Sequence, residues 1–119
     1  MIKNKFKNKI ALITGSTQGI GEATARLFVQ EGLEGLVICG RNQKKGTKIA
    51  KELNKSGCKT IFIKADLSDV KHCFKIIRKI DEVFSRLDIL VNCAAQTDRG
   101  GLLDSSPKLW DSIFATNVK

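Results

Sequence analysis

The chain has 119 residues, of which 42% are hydrophobic and 28% charged, and its 21 Lys and Arg outnumber 12 Asp and Glu to give a net charge of +9. This length has room for one domain, and the composition is ordinary for a soluble globular protein. No apolar run approaches the roughly 20 residues that span a bilayer. The first apolar stretch is also too short for the core of a signal peptide, so a cytoplasmic location is expected and no membrane partner.

Four short apolar runs predict buried strands, over residues 9–14, 36–39, 60–64 and 89–93. The segments between them have helical periodicity and predict helices from Ile20 to near Gly32, from Asn42 to about Ser56, and from Asp69 onward. Ser106 followed by Pro107 is typical of a helix start and predicts a last helix that runs to the C-terminus.

Helical spacing also predicts which side chains face inward. These are Ile20, Ala23, Thr24, Leu27 and Phe28 in the first helix, Ile49, Ala50 and Leu53 in the second, and Val70, Cys73, Phe74, Ile77, Ile80, Phe84 and Leu87 along the third.

The predicted order is therefore βαβαβαβα. Apolar strands separated by helices indicate a parallel sheet covered on both faces, with right-handed crossovers. If the winding switches before the fourth strand, the strand order is 3-2-1-4, the first part of a doubly wound α/β sheet.

Four cysteines and one histidine, His72, are the residues that could suggest metal or disulfide chemistry. The cysteines are 19, 15 and 20 residues apart and form no Cys-x-x-Cys pair, so no zinc set is expected. We expect free, mostly buried thiols and place His72 on the surface or at the boundary of a helix.

The positive charge suits an anionic partner, and nucleic acid is the first to consider. The lysines are scattered, however, and follow no zinc-finger, helix-turn-helix or aromatic RNA-binding pattern. A nucleic-acid-binding domain rests on net charge alone, and we expect solvated basic faces instead.

Three glycines, Gly15, Gly19 and Gly21, lie where the first strand gives way to the first helix. The N–H groups at a helix N-terminus and the helix dipole favour a phosphate there, provided that no side chain blocks its approach. Gly15 suits the tight turn, Gly19 the close approach of phosphate, and Gly21 the packing of the helix. A strand-to-helix context is what a nucleotide-binding turn requires.

The run from Thr14 to Gly21 resembles the Thr-Gly-x-x-x-Gly-Ile-Gly motif of the short-chain dehydrogenase/reductase family. The resemblance extends over the whole chain and implies a Rossmann-like fold. Residues 1–119 then correspond to the N-terminal part of a single cofactor-binding domain. It implies that the turn contacts the cofactor through Gly15, Ser16, Thr17, Gly19, Ile20 and Gly21.

Arg41 follows the second strand, at the position where a dinucleotide fold carries an acid for the ribose hydroxyls or an arginine for a 2′-phosphate. The sequence there is Gly40-Arg41-Asn42, with no acid. Because arginine makes paired, charge-assisted bonds to phosphate, NADP is predicted in preference to NAD. A solvated loop arginine is the alternative.

Other positions match the family in the same order. Asp66 and Leu67 resemble its adenine-side pair, although a helix-capping turn would explain them equally well. Asn92 and Ala94 fall in a looser match to its Asn-Asn-Ala-Gly motif, in which Cys93 and Ala95 depart from the pattern. Asn117 resembles the asparagine that holds a water near the catalytic lysine.

The family's catalytic chemistry uses a tyrosine, a lysine four residues later, and a serine. A phenol needs such help because its pKa is ordinarily near 10. This sequence contains no tyrosine. Of the family's catalytic set only Asn117 carries over, in a supporting role, and the chain resembles the cofactor half of a reductase.

The resemblance implies an NADP-dependent oxidoreductase that transfers hydride to or from a small carbonyl or alcohol substrate, present as an N-terminal fragment of a homo-oligomeric full-length form. The alternative is a non-catalytic NADP-binding or interaction protein that ends at Lys119. An uncovered fourth strand would be an apolar edge, so the isolated chain is expected to be poorly soluble or marginally folded.

Overall fold

The computed structural model describes residues 5–17 and 19–93, which contain four strands and three helices. The strands are β1 (Ile10–Thr14), β2 (Gly35–Gly40), β3 (Lys59–Lys64) and β4 (Ile89–Asn92). The helices are α1 (Gly19–Gln30), α2 (Gln43–Lys55) and α3 (Val70–Phe84). All seven elements predicted for this part of the chain are present, and the helix predicted after Ser106 lies outside the described residues.

The four strands form one parallel sheet in the order β3-β2-β1-β4. Thr14 at the end of β1 is aligned with Cys39 of β2 on one side and with Asn92 of β4 on the other. The predicted strand order is thus confirmed, including the switch in winding between β3 and β4. On one side of β1 the chain winds outward to β2 and β3, and on the other side it continues with β4. The connections at the carboxyl ends of the strands therefore diverge between β1 and β4, which leaves a crevice there.

Alternate residues of the strands point to two separate apolar layers, as expected for a sheet covered on both faces. Leu12, Val37 and Ile63 pack on the α3 side, whereas Ile13 and Ile38 pack on the side of α1 and α2. Among the described residues, no helix is long and apolar enough to cross a membrane.

The inward face predicted for the first helix was only partly right, since Phe28 packs against the core but Ile20 and Leu27 do not. Ile20 is 78% exposed and Leu27 52%, whereas Gly21 and Ala25 are the buried residues of α1. Gly21 faces inward because α1 lies too close to the Gly15 backbone to admit a side chain there. Helical spacing thus placed Phe28 correctly but did not identify Gly21 and Ala25 as the buried residues of α1.

The third helix shows a smaller shift of the same kind. Val70 and Phe74 are 42% and 49% exposed, contrary to prediction, and Ile76 is buried instead. The buried stripe of α3 is Cys73, Ile76 and Ile80, at the spacing of successive helical turns. In α2 the prediction was right, since Ile49, Ala50 and Leu53 are all buried.

Candidate nucleotide site at the carboxyl ends of the strands

Residues 15–17 and 19–21 form the glycine turn between β1 and α1. Gly15 and Gly19 have φ values of 64° and 58°, in the left-handed region that favours glycine. A Cβ on Gly21 would collide with the carbonyl oxygen of Gly15 and lie 2.7 Å from its carbonyl carbon. At Gly19, by contrast, an added Cβ would meet no described atom within 4 Å. The turn is therefore tightly packed beneath Gly21 and open above Gly19.

Ser16 fastens the turn to both neighbouring strands. Its buried hydroxyl donates to the Ile13 carbonyl at 2.7 Å and accepts the Cys39 N–H at 3.2 Å. Its own N–H donates to the Cys39 carbonyl at 3.3 Å. The Ser16 side chain is thus engaged within the protein, and a direct contact between this hydroxyl and a cofactor stays a prediction.

Cys39 lies directly beneath the turn. Burial raises the pKa of its thiol to about 12, although a hydrogen bond with the Gly15 backbone acts in the opposite direction. A thiol with such a pKa stays protonated at neutral pH and is a poor nucleophile. Cys39 therefore belongs to the structural support of the turn. The described cysteines are all free, and Cys58 and Cys73 are buried as well.

Thr17 connects the glycine turn to the end of β2. This buried side chain packs on Gly40, where an added Cβ would lie 3.0 Å from the Thr17 hydroxyl oxygen. Arg41, the next residue, is exposed, and Asn42 begins α2 by accepting the Lys45 N–H at 3.0 Å. The contact between Thr17 and Gly40 thus sets Arg41 beside the turn.

Asp66 follows β3 at the same end of the sheet. Its Oδ1 accepts the Ser68 N–H at 3.0 Å and the Ser68 hydroxyl at 2.7 Å. These two hydrogen bonds lower the pKa of the Asp66 carboxyl, with smaller contributions from the nearby Arg41 and His72. Arg41 and Asp66 are therefore close enough to interact electrostatically. We call these two residues the rim of the site.

The turn after Asp66 is held by local hydrogen bonds. The Asp66 N–H donates to Nδ1 of His72 at 2.7 Å, and Asp69 caps α3 by accepting the Lys71 N–H at 2.9 Å. His72 thus lies at the helix boundary, as predicted. Leu67 packs against the core on the α3 side, and its carbonyl accepts the Cys73 thiol at 3.7 Å.

Asn92, at the end of β4, is hydrogen-bonded to the end of β1. The Thr14 hydroxyl donates to Oδ1 of Asn92 at 2.6 Å, and the Cys93 N–H donates to the Thr14 carbonyl at 3.2 Å. These bonds join the ends of β1 and β4, the two strands that flank the crevice.

The structure brings most of the predicted cofactor residues to one end of the sheet, with Gly15, Ser16, Thr17, Gly19, Ile20 and Gly21 in the turn, Arg41, Asp66 and Leu67 after β2 and β3, and Asn92 at the end of β4. Ala94 and Asn117 lie outside the described residues. Within the described ranges, no group of three or more His, Cys, Asp or Glu could hold a metal ion.

Two supporting residues, Cys39 and Gly40, were missed by sequence reasoning. The signal for Gly40 was available, since a glycine directly before the predicted phosphate-binding arginine suggests a close approach of another segment. For Cys39 there was no signal, because only the pairing of β1 with β2 brings it beneath the turn.

The sequence model described as short chain dehydrogenase matches residues 9–119. The chain therefore belongs to the short-chain dehydrogenase family, as the glycine motif indicated. An uncharacterized oxidoreductase of Staphylococcus haemolyticus is 30% identical over 115 residues, which are 97% of this chain and 48% of that protein. The chain thus spans about half the length of the curated relatives that it matches.

Solved structures give the same result for the fold. The L-sorbose reductase of Gluconobacter frateurii, in complex with NADPH and L-sorbose, matches with a TM-score of 0.73 and 27% identity over 88% of this chain and 40% of that one. A short chain dehydrogenase/reductase of Burkholderia phymatum, in complex with NAD, matches with a TM-score of 0.73 and 26% identity over 94% and 40% of the two chains. Of these two solved structures, one contains NADPH and the other contains NAD.

Proposed function

We propose that this chain is the cofactor-binding part of an NADP-dependent oxidoreductase, which transfers hydride between a nicotinamide and a small carbonyl or alcohol substrate. The observation that carries the proposal is the position of Arg41, exposed beside the glycine turn, at the end of a strand that carries no acid. A guanidinium there supports selection of a 2′-phosphate over a free ribose hydroxyl.

The residues present fit a dinucleotide. The first N–H groups of α1 have no intrahelical partner, and the helix dipole adds positive potential where Gly19 leaves open space. We assign the diphosphate to this turn, the 2′-phosphate to Arg41, and the adenine to Asp66 and Leu67. Asn92 and Ala94 are assigned to the nicotinamide side. When bound, the cofactor supplies or accepts the hydride.

The catalytic acid and base of the family are not among these 119 residues, since the sequence has no tyrosine. Asn117 is the single catalytic-set residue assigned here, in a supporting role. We propose that the working enzyme is a homo-oligomer in the cytoplasm, on the basis of family membership and the sequence expectations above. These residues would then be the N-terminal part of a single domain.

The experiment titrates the polypeptide that the gene encodes with NADPH and with NADH. Binding is monitored by the fluorescence of the nicotinamide. Arg41→Asp should weaken NADPH binding by about 1.5–3 kcal/mol, or about 10- to 150-fold, because a charge-assisted bond is replaced by repulsion. NADH affinity should not fall, because NADH lacks the 2′-phosphate and an acid at this position can accept a hydrogen bond from the ribose hydroxyls.

Lys51→Asp is the matched control, since Lys51 is an exposed cation on α2 and the charge change is the same. If Arg41→Asp and Lys51→Asp weaken NADPH binding equally, the effect is general electrostatics. Arg41 then has no specific role, and the preference for NADP loses its support.

The second candidate is a non-catalytic NADP-binding or interaction protein, which the absence of tyrosine favours. The coding sequence after Lys119 separates the two. An open frame with a serine and then Tyr-x-x-x-Lys supports the oxidoreductase, whereas a stop codon directly after Lys119 supports the binding protein.

A further inference from the structure

A groove of about 580 Å³ runs along the outer edge of β3. Phe62, Ile63 and Lys64 of β3 form its floor, and α2 and α3 form its two walls. Because α2 and α3 cover opposite faces of the sheet, the groove follows the edge of the sheet itself. None of its lining residues is assigned to the cofactor.

The backbone of β3 is open along part of this edge. The N–H groups of Lys59 and Ala65 donate to the carbonyls of Glu34 and Gly40 on the β2 side. Because backbone groups of successive residues point to opposite sides of a strand, the N–H and C=O groups of Thr60, Phe62 and Lys64 point outward, away from β2. At Thr60 the Asn54 side chain occupies both outward groups, accepting the N–H at 2.9 Å and donating to the carbonyl at 2.8 Å. No described residue bonds the outward N–H and C=O of Phe62 or the N–H of Lys64.

The α3 wall is strongly basic. Lys75, Arg78 and Lys79 line it, and Lys64 adds a fourth cation from the strand. Glu82 is the one acid in the lining and pairs with Lys79 at 3.2 Å. Lys75 approaches the Lys64 carbonyl at 3.5 Å, a weak contact for an ammonium group. Arg78 has no ion-pair partner among the described residues.

From these features we infer that the edge of β3 binds an extended acidic peptide segment, which pairs with the backbone of Phe62 and Lys64 as an added strand. Open strand edges recruit peptides through main-chain hydrogen bonds, and flanking side chains then select the sequence. The basic wall selects acids. A second copy of this chain is disfavoured, because two edges of this kind would bring like charges together.

The geometry also predicts the pattern of the peptide. Alternate residues of an added strand would face α3 and α2 in turn, so acids are needed at every second position. Such acids repeat about every 6.7 Å, and Lys75 and Lys79 are about 6 Å apart along the α3 axis. The other positions would face Phe62, Gln43 and Thr47, a less charged wall that suits small apolar side chains.

The probe is a fluorescein-labelled peptide in which valine and aspartate alternate over eight residues, and its binding to the polypeptide is followed by anisotropy. Lys75→Glu combined with Arg78→Glu should weaken binding at least about tenfold, because two attractive contacts become repulsive. Lys5→Glu combined with Lys7→Glu makes the same charge change outside the groove and should shift affinity less than about threefold. Both α3 residues are exposed, and circular dichroism checks that each variant is folded.

Two further probes test the backbone pairing. A peptide with N-methyl groups on the amides that face β3 should lose binding, and peptide binding should slow amide exchange at Phe62 and Lys64 but not at Ile61. Equal weakening by both charge variants, undiminished binding of the methylated peptide, or no binding at millimolar peptide would overturn the proposal. Tighter, groove-dependent binding of an RNA octamer would identify nucleic acid as the ligand instead and would equally overturn it.

Discussion

The glycine turn and the rim lie side by side at the carboxyl end of the sheet but are held in different ways. In the turn, the Ser16 side chain is fully buried and bonded to two strands, and Gly21 has no room for a methyl group. On the rim, Arg41 is exposed, and the described hydrogen bonds of the Asp66 carboxylate go to the Ser68 hydroxyl and N–H, two residues away.

This difference separates two kinds of site residue. A group that is bonded to its own protein shapes the site, and its loss is felt as lost stability. An exposed charge contributes little to stability but is available to a ligand. We therefore expect substitutions in the turn to lower the free energy of unfolding, and substitutions on the rim to change cofactor affinity with the fold intact.

The largest effect is expected from Gly21→Val. The added side chain meets the Gly15 backbone, which cannot move without opening the turn, so the free energy of unfolding should fall by about 3 kcal/mol or more. Urea unfolding followed by circular dichroism measures this. Gly19→Ala is the control, since it meets open space and should cost only the left-handed strain of about 1–2 kcal/mol. Equal losses in both variants would contradict close packing beneath Gly21.

A smaller loss is expected from Ser16→Ala. The substitution leaves the buried Cys39 N–H and Ile13 carbonyl each without one partner, which should cost about 1–3 kcal/mol. Ser56→Ala, at the exposed end of α2, removes only a 3.4 Å contact with the Glu52 carbonyl and should change stability by less than about 0.5 kcal/mol. Two variants with the same urea midpoint would show that the Ser16 bonds do not hold the turn.

The smallest effect is expected on the rim, from Asp66→Asn, and it depends on pH. The folded state lowers the pKa of the Asp66 carboxyl, so its ionised form stabilises the fold above the unfolded pKa near 4, and this contribution is lost as pH falls through the folded value. The urea midpoint of the wild type should therefore be slightly higher than that of the variant at pH 7, and the difference should shrink as the pH falls below the unfolded pKa. A constant difference across this range would be inconsistent with a lowered pKa.

Much of the fold follows from local patterns in the sequence. Apolar runs such as that around Leu12 predicted the strands, and the glycine spacing predicted the turn and the family. The position of Arg41 directly after β2 also led to the prediction of a phosphate contact, which stays a prediction. These features depend on residues close together in the chain, where spacing and side-chain type are sufficient.

The errors arise where packing depends on distant residues. Ile20 and Leu27 follow an apolar helical spacing, yet α1 turns Gly21 and Ala25 inward, and at Gly21 the Gly15 backbone leaves no room for a side chain. Val70 and Phe74 lie on the border of the α3 stripe, and the packing of α3 on the sheet leaves them exposed. Helical periodicity predicts that a helix has an apolar side. It does not predict how closely the helix packs against the neighbouring segment, which decides the size of the side chains that can be buried.

The sequence by itself determined the alternation of strands and helices, the glycine turn, the family, and the absence of tyrosine. The tertiary structure alone decided that Ser16 and Cys39 pair beneath the turn, that Arg41 lies near Asp66, and that the outward backbone of Phe62 opens into a basic groove. The physical reason is strand register, since these groups are distant in the chain and meet only when β1, β2 and β3 align.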